Sequence, residues 1–133
     1  MSRMTVQFPG GKKVDAHYNG FTIRTDQSPR GGGEGSAPQP FDLFLASLAT
    51  CAGIYVKGFC DARGIGTEGL RLEMEILPDP QRPRIGGLDL HVHLPPGFPA
   101  QHVDAVVRAA GHCAVKQALQ EPPRIQVLPH LPA

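Results

Sequence analysis

The sequence carries almost no excess of either charge. Thirteen Lys and Arg stand against twelve Asp and Glu, a formal net charge of +1, and no basic run or basic amphipathic stretch interrupts the balance. That excludes the electrostatic footprint expected of a nucleic-acid binder. The N-terminal residues lack the apolar region of a secretory signal, so none is expected. Only three cysteines occur, at positions 51, 60 and 113. An odd number without a signal argues against a disulfide framework and for a reducing cytoplasm. There is no C-x-x-C, hence no zinc spacing. The glycine run at 31–35 lacks the Gly-Lys-Ser/Thr ending of a phosphate loop. No cofactor is expected from any motif.

What is present is one long apolar stretch, residues 40–60, with Cys51 near its middle. Pro40 suits the first turn of a helix. Phe41, Phe44, Leu45, Leu48, Ala52, Tyr55, Val56 and Phe59 occupy nearly every angle of the helical wheel. A helix apolar on all sides is expected to be buried on most of them. Asp42, Ser47, Thr50 and Lys57 make a membrane span the less suitable reading. Gly64 is the expected residue just past the helix end, with Arg63 well placed near the C-terminal carbonyls.

Around this helix the pattern alternates. Residues 4–8, 13–17 and 21–25 read as an antiparallel meander, with Asn19-Gly20 as the hairpin turn between the last two. Residues 28–39 form a long loop of turn residues, long enough to be functional or mobile. Leu70, Leu72, Met74 and Ile76 alternate with charged residues, and Leu88, Leu90, Val92 and Leu94 repeat the pattern over 85–94. Residues 101–120 read as a second long helix, stopped by Pro122-Pro123, and 124–128 as a short last strand. The order β-β-β-α-β-β-α-β describes an α+β fold of antiparallel sheet and two long helices, one domain over residues 1–133.

Two thiols, Cys51 and Cys113, fall on apolar sides of different helices. They can form a redox pair if the helices meet, one attacking and one resolving. They equally suit simple packing, since free cysteine behaves as a small hydrophobe. Cys60 is turned about 180° from Cys51 on one helix, so those two cannot pair within it and Cys60 reads as structural. His91 and His93 share a strand face that could hold a metal, although a wet strand face explains them as well, and no metal site is expected. His112 beside Cys113 is a weak candidate base, because adjacent helical residues point apart.

The segment Ser36-Ala-Pro-Gln-Pro-Phe-Asp-Leu-Phe-Leu-Ala-Ser-Leu-Ala-Thr-Cys51 resembles the start of the central helix in the OsmC/Ohr superfamily. His112-Cys-Ala-Val-Lys-Gln-Ala-Leu119 resembles that family's second cysteine motif. The likeness extends over nearly the whole chain. It implies an intertwined homodimer, with antiparallel sheets wrapped around two long central helices and active sites at the subunit interface. It also implies reduction of organic hydroperoxides: Cys51 as the peroxidatic thiolate, Cys113 as the resolving thiol, and a dithiol such as dihydrolipoamide as reductant. No nucleic acid or membrane partner is implied.

The family flanks its first cysteine with an arginine and a glutamate. At the glutamate's place this chain has Phe41, with Asp42 as the nearest acid. Asp42 also suits the first helical turn through the dipole alone. At the arginine's place, after Gly10-Gly11, stands Lys12, which supplies charge without the planar fork. Arg24 and Arg30 are further basic candidates. These departures make the chain most similar to the YhfA-like branch. They leave an alternative open, a non-catalytic OsmC-fold module that binds an apolar or thiol-bearing small molecule.

Overall fold

The computed structural model describes residues 2–132. Of these, residues 2–47 and residues 48–132 form two compact units.

The first unit carries a three-stranded antiparallel sheet in the order β1-β2-β3: β1 Thr5–Gly10, β2 Lys13–Tyr18 and β3 Phe21–Thr25. The Asn-Gly turn forms as expected. Asn19 and Gly20 both take positive φ (50° and 80°) between paired Tyr18 and Phe21, the twist that a two-residue hairpin needs. The β1–β2 register shifts between Gln7 and Gly10, and Lys12 sits in the turn that follows. A short 3-10 turn, Pro29–Gly31, interrupts the loop after β3, with Ser28 capping it.

Helix α1 runs from Pro40 to Ala62. Its end is closed by Gly64 at φ 65°: the Gly64 N–H donates to the Asp61 carbonyl and the Ile65 N–H to the Cys60 carbonyl. These are the paired bonds of a Schellman motif, with the glycine where the sequence places it. The Arg63 guanidinium lies 3.7 Å from the centre of the Phe59 ring and donates to the Phe59 carbonyl.

In the second unit, β4 Arg71–Pro78 pairs antiparallel with β5 Ile85–His93. Leu72 and Met74 face inward opposite Val92 and Leu90, while Glu73 and Glu75 face His91 and Asp89 on the wet side. The core is the set Leu48, Ala52, Val56, Cys60, Val106, Ala110 and Cys113, with Leu72, Met74, Leu88, Leu90 and Val92 packed against it.

Three expectations are corrected. First, α1 buries a single stripe, Leu48, Ala52, Val56 and Cys60, at steps of four residues. Within this chain its other faces are only partly covered: Cys51 and Phe59 pack partly against the core, while Ile54 is 63% and Tyr55 39% exposed. An all-round apolar sequence thus packs along one side of this chain. By length and composition alone α1 could cross a membrane, with a mean hydropathy of 1.6, so its scattered polar residues do not decide that question.

Second, the helix expected over 101–120 is two helices, α2 Val103–Gly111 and α3 Ala114–Gln120, preceded by a 3-10 turn at Ala100–His102. The break falls at His112-Cys113, where Cys113 takes an extended conformation (φ −63°, ψ 142°). Third, residues 124–128 form no strand. Residues 121–132 are exposed and without regular structure, Ile125 and Val127 being 83% and 94% exposed. Alternating β-branched residues suit a strand, but a strand exists only through hydrogen bonds to a neighbour, and among the described residues none pairs with it.

Candidate thiol site

All three cysteines are free. Cys60 is fully buried on the α1 stripe, and Cys51 is half-buried on another side of the same helix. Burial pushes the Cys60 thiol up from its ordinary 9.0, with the Asp61 carboxylate adding to the effect. A neutral, inaccessible thiol is a packing residue, as its spacing from Cys51 suggests.

Cys113 is fully buried. It does not sit within a helix, as the sequence suggests, but caps one. Its Sγ accepts the Lys116 backbone N–H at 3.3 Å, satisfying one of the free donors at the start of α3. Cys51 packs against the same apolar cluster of which Cys113 is a member. Two thiols 62 positions apart in sequence are thus gathered on one core.

Lys12 is exposed in the β1–β2 turn and makes no ion pair among the described residues. Asp42 is exposed in the first turn of α1, its backbone N–H bonded to the Gln39 carbonyl. The structure does not join Lys12 to Asp42. Phe41 is 55% exposed and its ring lies 5.3 Å from that of Phe44 at a tilt of 44°. His112 is exposed at the end of α2, where its backbone N–H closes the helix. Arg24 lines a cavity of about 410 Å³ with Lys13, Asp15, Thr25 and Ser36, and with Pro9 and Ala37.

The His91/His93 face is wet, as expected for such a strand. His91 Nε2 lies 3.1 Å from Glu75 and His93 Nε2 2.8 Å from Glu73. Glu75, Asp89 and His91 bring one donor atom each within 4.8 Å of the others, the geometry of a possible cation site, but all three are exposed. Glu75 and His91 form a cross-strand pair on the solvated ladder, whereas Asp89 stands directly opposite Glu75 as a like charge.

Two features escape a sequence reading. One is an apolar cavity of about 280 Å³ beside the core, bounded by Leu48, Leu88, Leu90, Val92 and Val107 with Lys116 at its edge. The other is Asp26, which is 1% exposed. Its carboxylate is held at about 2 by the Ser36 hydroxyl first, then by the backbone N–H groups of Ser36, Gln27 and Glu34. An acid closing a strand before a glycine-rich loop is the only sequence signal of that role.

The comparisons agree with this architecture. The chain matches solved structures over most of their length. One is an osmotic-stress and detoxification response protein of Psychrobacter arcticus 273-4, with TM-score 0.74 and 20% identity over 89% of this chain and 88% of that one. Another is an organic hydroperoxide resistance protein OsmC of Legionella pneumophila, with TM-score 0.62 and 21% identity over 90% and 89%. An OsmC-like protein of Mycoplasma pneumoniae matches with TM-score 0.68 and 16% identity over 92% and 89%. At these identities the likeness is one of fold. No curated protein sequence matches. The family described as OsmC-like protein matches residues 33–128, from the loop before α1 to beyond α3, and the chain belongs to that family.

Proposed function

We propose that this chain is a thiol-dependent peroxidase for organic hydroperoxides, acting as a cytoplasmic homodimer of single-domain subunits in the YhfA-like branch of the superfamily. The observation that carries the reading is the convergence of Cys51 and Cys113 on one apolar cluster, one thiol half-buried and the other fully buried.

The chemistry balances without a cofactor. The Cys51 thiolate attacks the distal oxygen of ROOH, the O–O bond breaks, and ROH leaves with a proton. Cys51 is then a sulfenic acid. The Cys113 sulfur attacks it, water leaves, and a Cys51–Cys113 disulfide remains. A small dithiol reduces that disulfide by two exchange steps. Thiolate character at Cys51 needs a nearby positive charge. Lys12 and Asp42 are proposed to supply the charges that arginine and glutamate supply in the family pattern. The exposed α1 face at Ile54 and Tyr55 supports a second copy as cover. An apolar helix face left open in so small a chain favours association.

The test is turnover of an organic hydroperoxide with dihydrolipoamide, beside Cys51→Ser and Cys113→Ser. The reading requires an active wild type, a dead Cys51→Ser, and a Cys113→Ser variant that accumulates sulfenic acid. A wild type with no turnover and no intramolecular disulfide after peroxide treatment defeats it.

One observation favours a second reading. The cavity edged by Lys116 is mostly apolar, and Phe41 replaces the family glutamate. A binding module for an apolar or thiol-bearing small molecule would hold its ligand there with no turnover.

A further inference from the structure

On the first sheet one register row is apolar and the next is charged. Val6, Ala16 and Ile23 stand opposite one another across the three strands, and Gln7, Asp15 and Arg24 form the neighbouring row. Side chains alternate across a sheet, so Asp15 and Arg24 share one face. Lys13, two residues before Asp15 on the same strand, shares it with them. All three border one cavity of about 410 Å³. That volume lies within the range of small-molecule pockets, ~300–1,000 Å³.

One wall of this cavity is fixed from within. Among the described residues, Asp26 is the only charged side chain that is buried. Every hydrogen bond to its carboxylate comes from the segment that follows it. Oδ1 accepts the Gln27 N–H at 2.7 Å. Oδ2 accepts the Glu34 N–H at 3.2 Å, the Ser36 N–H at 3.1 Å and the Ser36 hydroxyl at 2.6 Å. Its own N–H donates to the Pro38 carbonyl at 3.1 Å. The loop is wound on one carboxylate, which sets Ser36 and Ala37 in place beside the cavity. Thr25, 8% exposed, is held from the strand side, its hydroxyl donating to the Val14 carbonyl at 2.6 Å. The cavity is therefore preformed.

Its three charges are not equivalent. Lys13 Nζ pairs with Glu34 Oε2 at 3.1 Å, so its charge is compensated. Asp15 and Arg24 stand directly opposite each other, yet no ion pair joins them. Neither has another side-chain partner among the described residues. The cavity thus offers one free carboxylate and one free guanidinium. A simple anion would meet the like charge of Asp15, and a simple cation that of Arg24. A molecule carrying both charges suits both groups: the guanidinium fork takes a carboxylate by two parallel bonds, and Asp15 accepts an ammonium. Pro9 and Ala37 leave an apolar border for a small side chain. We infer that this cavity binds a small zwitterion of the α-amino acid class, with Arg24 on its carboxylate and Asp15 on its ammonium. The site is independent of the thiol chemistry, and its failure leaves the peroxidase reading standing.

The test is NMR titration of the full chain with L-alanine, beside propionate and ethylamine, its counterparts without the ammonium and without the carboxylate. Backbone amides of Asp15, Arg24 and Ala37 report binding at this cavity. L-Alanine is expected to move them and to bind about tenfold more tightly than either counterpart, the loss expected for one charge-assisted contact. Arg24→Gln should weaken L-alanine and propionate alike, by about tenfold. Asp15→Asn should weaken L-alanine by a similar factor while leaving propionate unchanged or tighter. Neither side chain is buried or paired, so both variants should keep the wild-type spectrum elsewhere. L-Alanine that leaves these amides unmoved at tens of millimolar overturns the inference. Propionate that binds the wild type as tightly as L-alanine overturns it too, making the cavity a plain anion site. So does an affinity for L-alanine that Asp15→Asn leaves unchanged.

Discussion

The Cys113 sulfur accepts the Lys116 backbone N–H at 3.3 Å, so the thiol proposed to resolve the Cys51 sulfenic acid is also the cap of α3. The cap explains why the helix divides there: Cys113 leaves helical geometry and its side chain takes over a donor at the new start. Cys113→Ala should therefore lower stability by about 1 kcal/mol through the lost cap, with a further loss from the small void. Cys113→Ser, which keeps an acceptor at that position, should lose less. Urea denaturation of the two variants measures the difference; equal losses would remove the cap from the account.

Cys60 and Cys51 share α1 but not an environment. The buried Cys60, its thiol pushed up by burial and by Asp61, should alkylate last of the three cysteines in the native protein. A raised thiol pKa also fixes a sign. The folded state holds the Cys60 proton more tightly than the unfolded chain, so this contribution is complete below the ordinary value of 9.0. It is lost as pH rises through that value toward the folded pKa. Stability measured across the alkaline range should fall in the wild type, and the part due to Cys60 should vanish in Cys60→Ala.

The exposed face of α1 gives the dimer its own check. Ile54, 63% exposed in the single chain, is apolar in a place where a surface helix normally carries charge. Ile54→Glu should shift sedimentation from dimer to monomer at micromolar concentration while leaving the core stripe intact. A wild type that already sediments as a folded monomer would defeat the homodimer and leave Ile54 as ordinary exposed surface.

Strand positions were legible where the pattern was local. Asn19-Gly20 encodes a turn by backbone conformation, and Leu72 and Met74 face inward by a period of two. Gly64 marks the end of α1 for the same kind of reason. The misreadings involve partners that periodicity does not contain. Residues 103–120 keep a helical pattern across the break, because Ala110, Cys113 and Gln117 have helical spacing whether or not the backbone is continuous. Residues 124–128 look like a strand but have no paired neighbour among the described residues. At the site, cysteine spacing set Cys60 apart from Cys51, the family resemblance singled out Cys51 and Cys113, and those two lie on one apolar core. Asp26 stayed hidden because its partners are mostly backbone N–H groups, which every residue possesses and no motif records.

Asp26 makes a prediction for acid. Its carboxylate is held at about 2 rather than the ordinary 3.8 by the Ser36 hydroxyl and the backbone donors around it. A depressed carboxyl stabilises the folded state only where it is ionised. The contribution is present above 3.8 and is lost as pH falls from there through about 2. Wild-type stability should therefore decline across that window. Asp26→Asn should be less stable at neutral pH and show a flatter acid limb, because the group that titrates has gone. Ser36→Ala should keep the carboxylate but raise its pKa toward 3.8, so the decline still begins there but is smaller and ends at a higher pH. Thermal unfolding from pH 2 to pH 7 on the three proteins reads all of this at once; an acid limb of the same slope and position in Asp26→Asn would show that other carboxylates carry it.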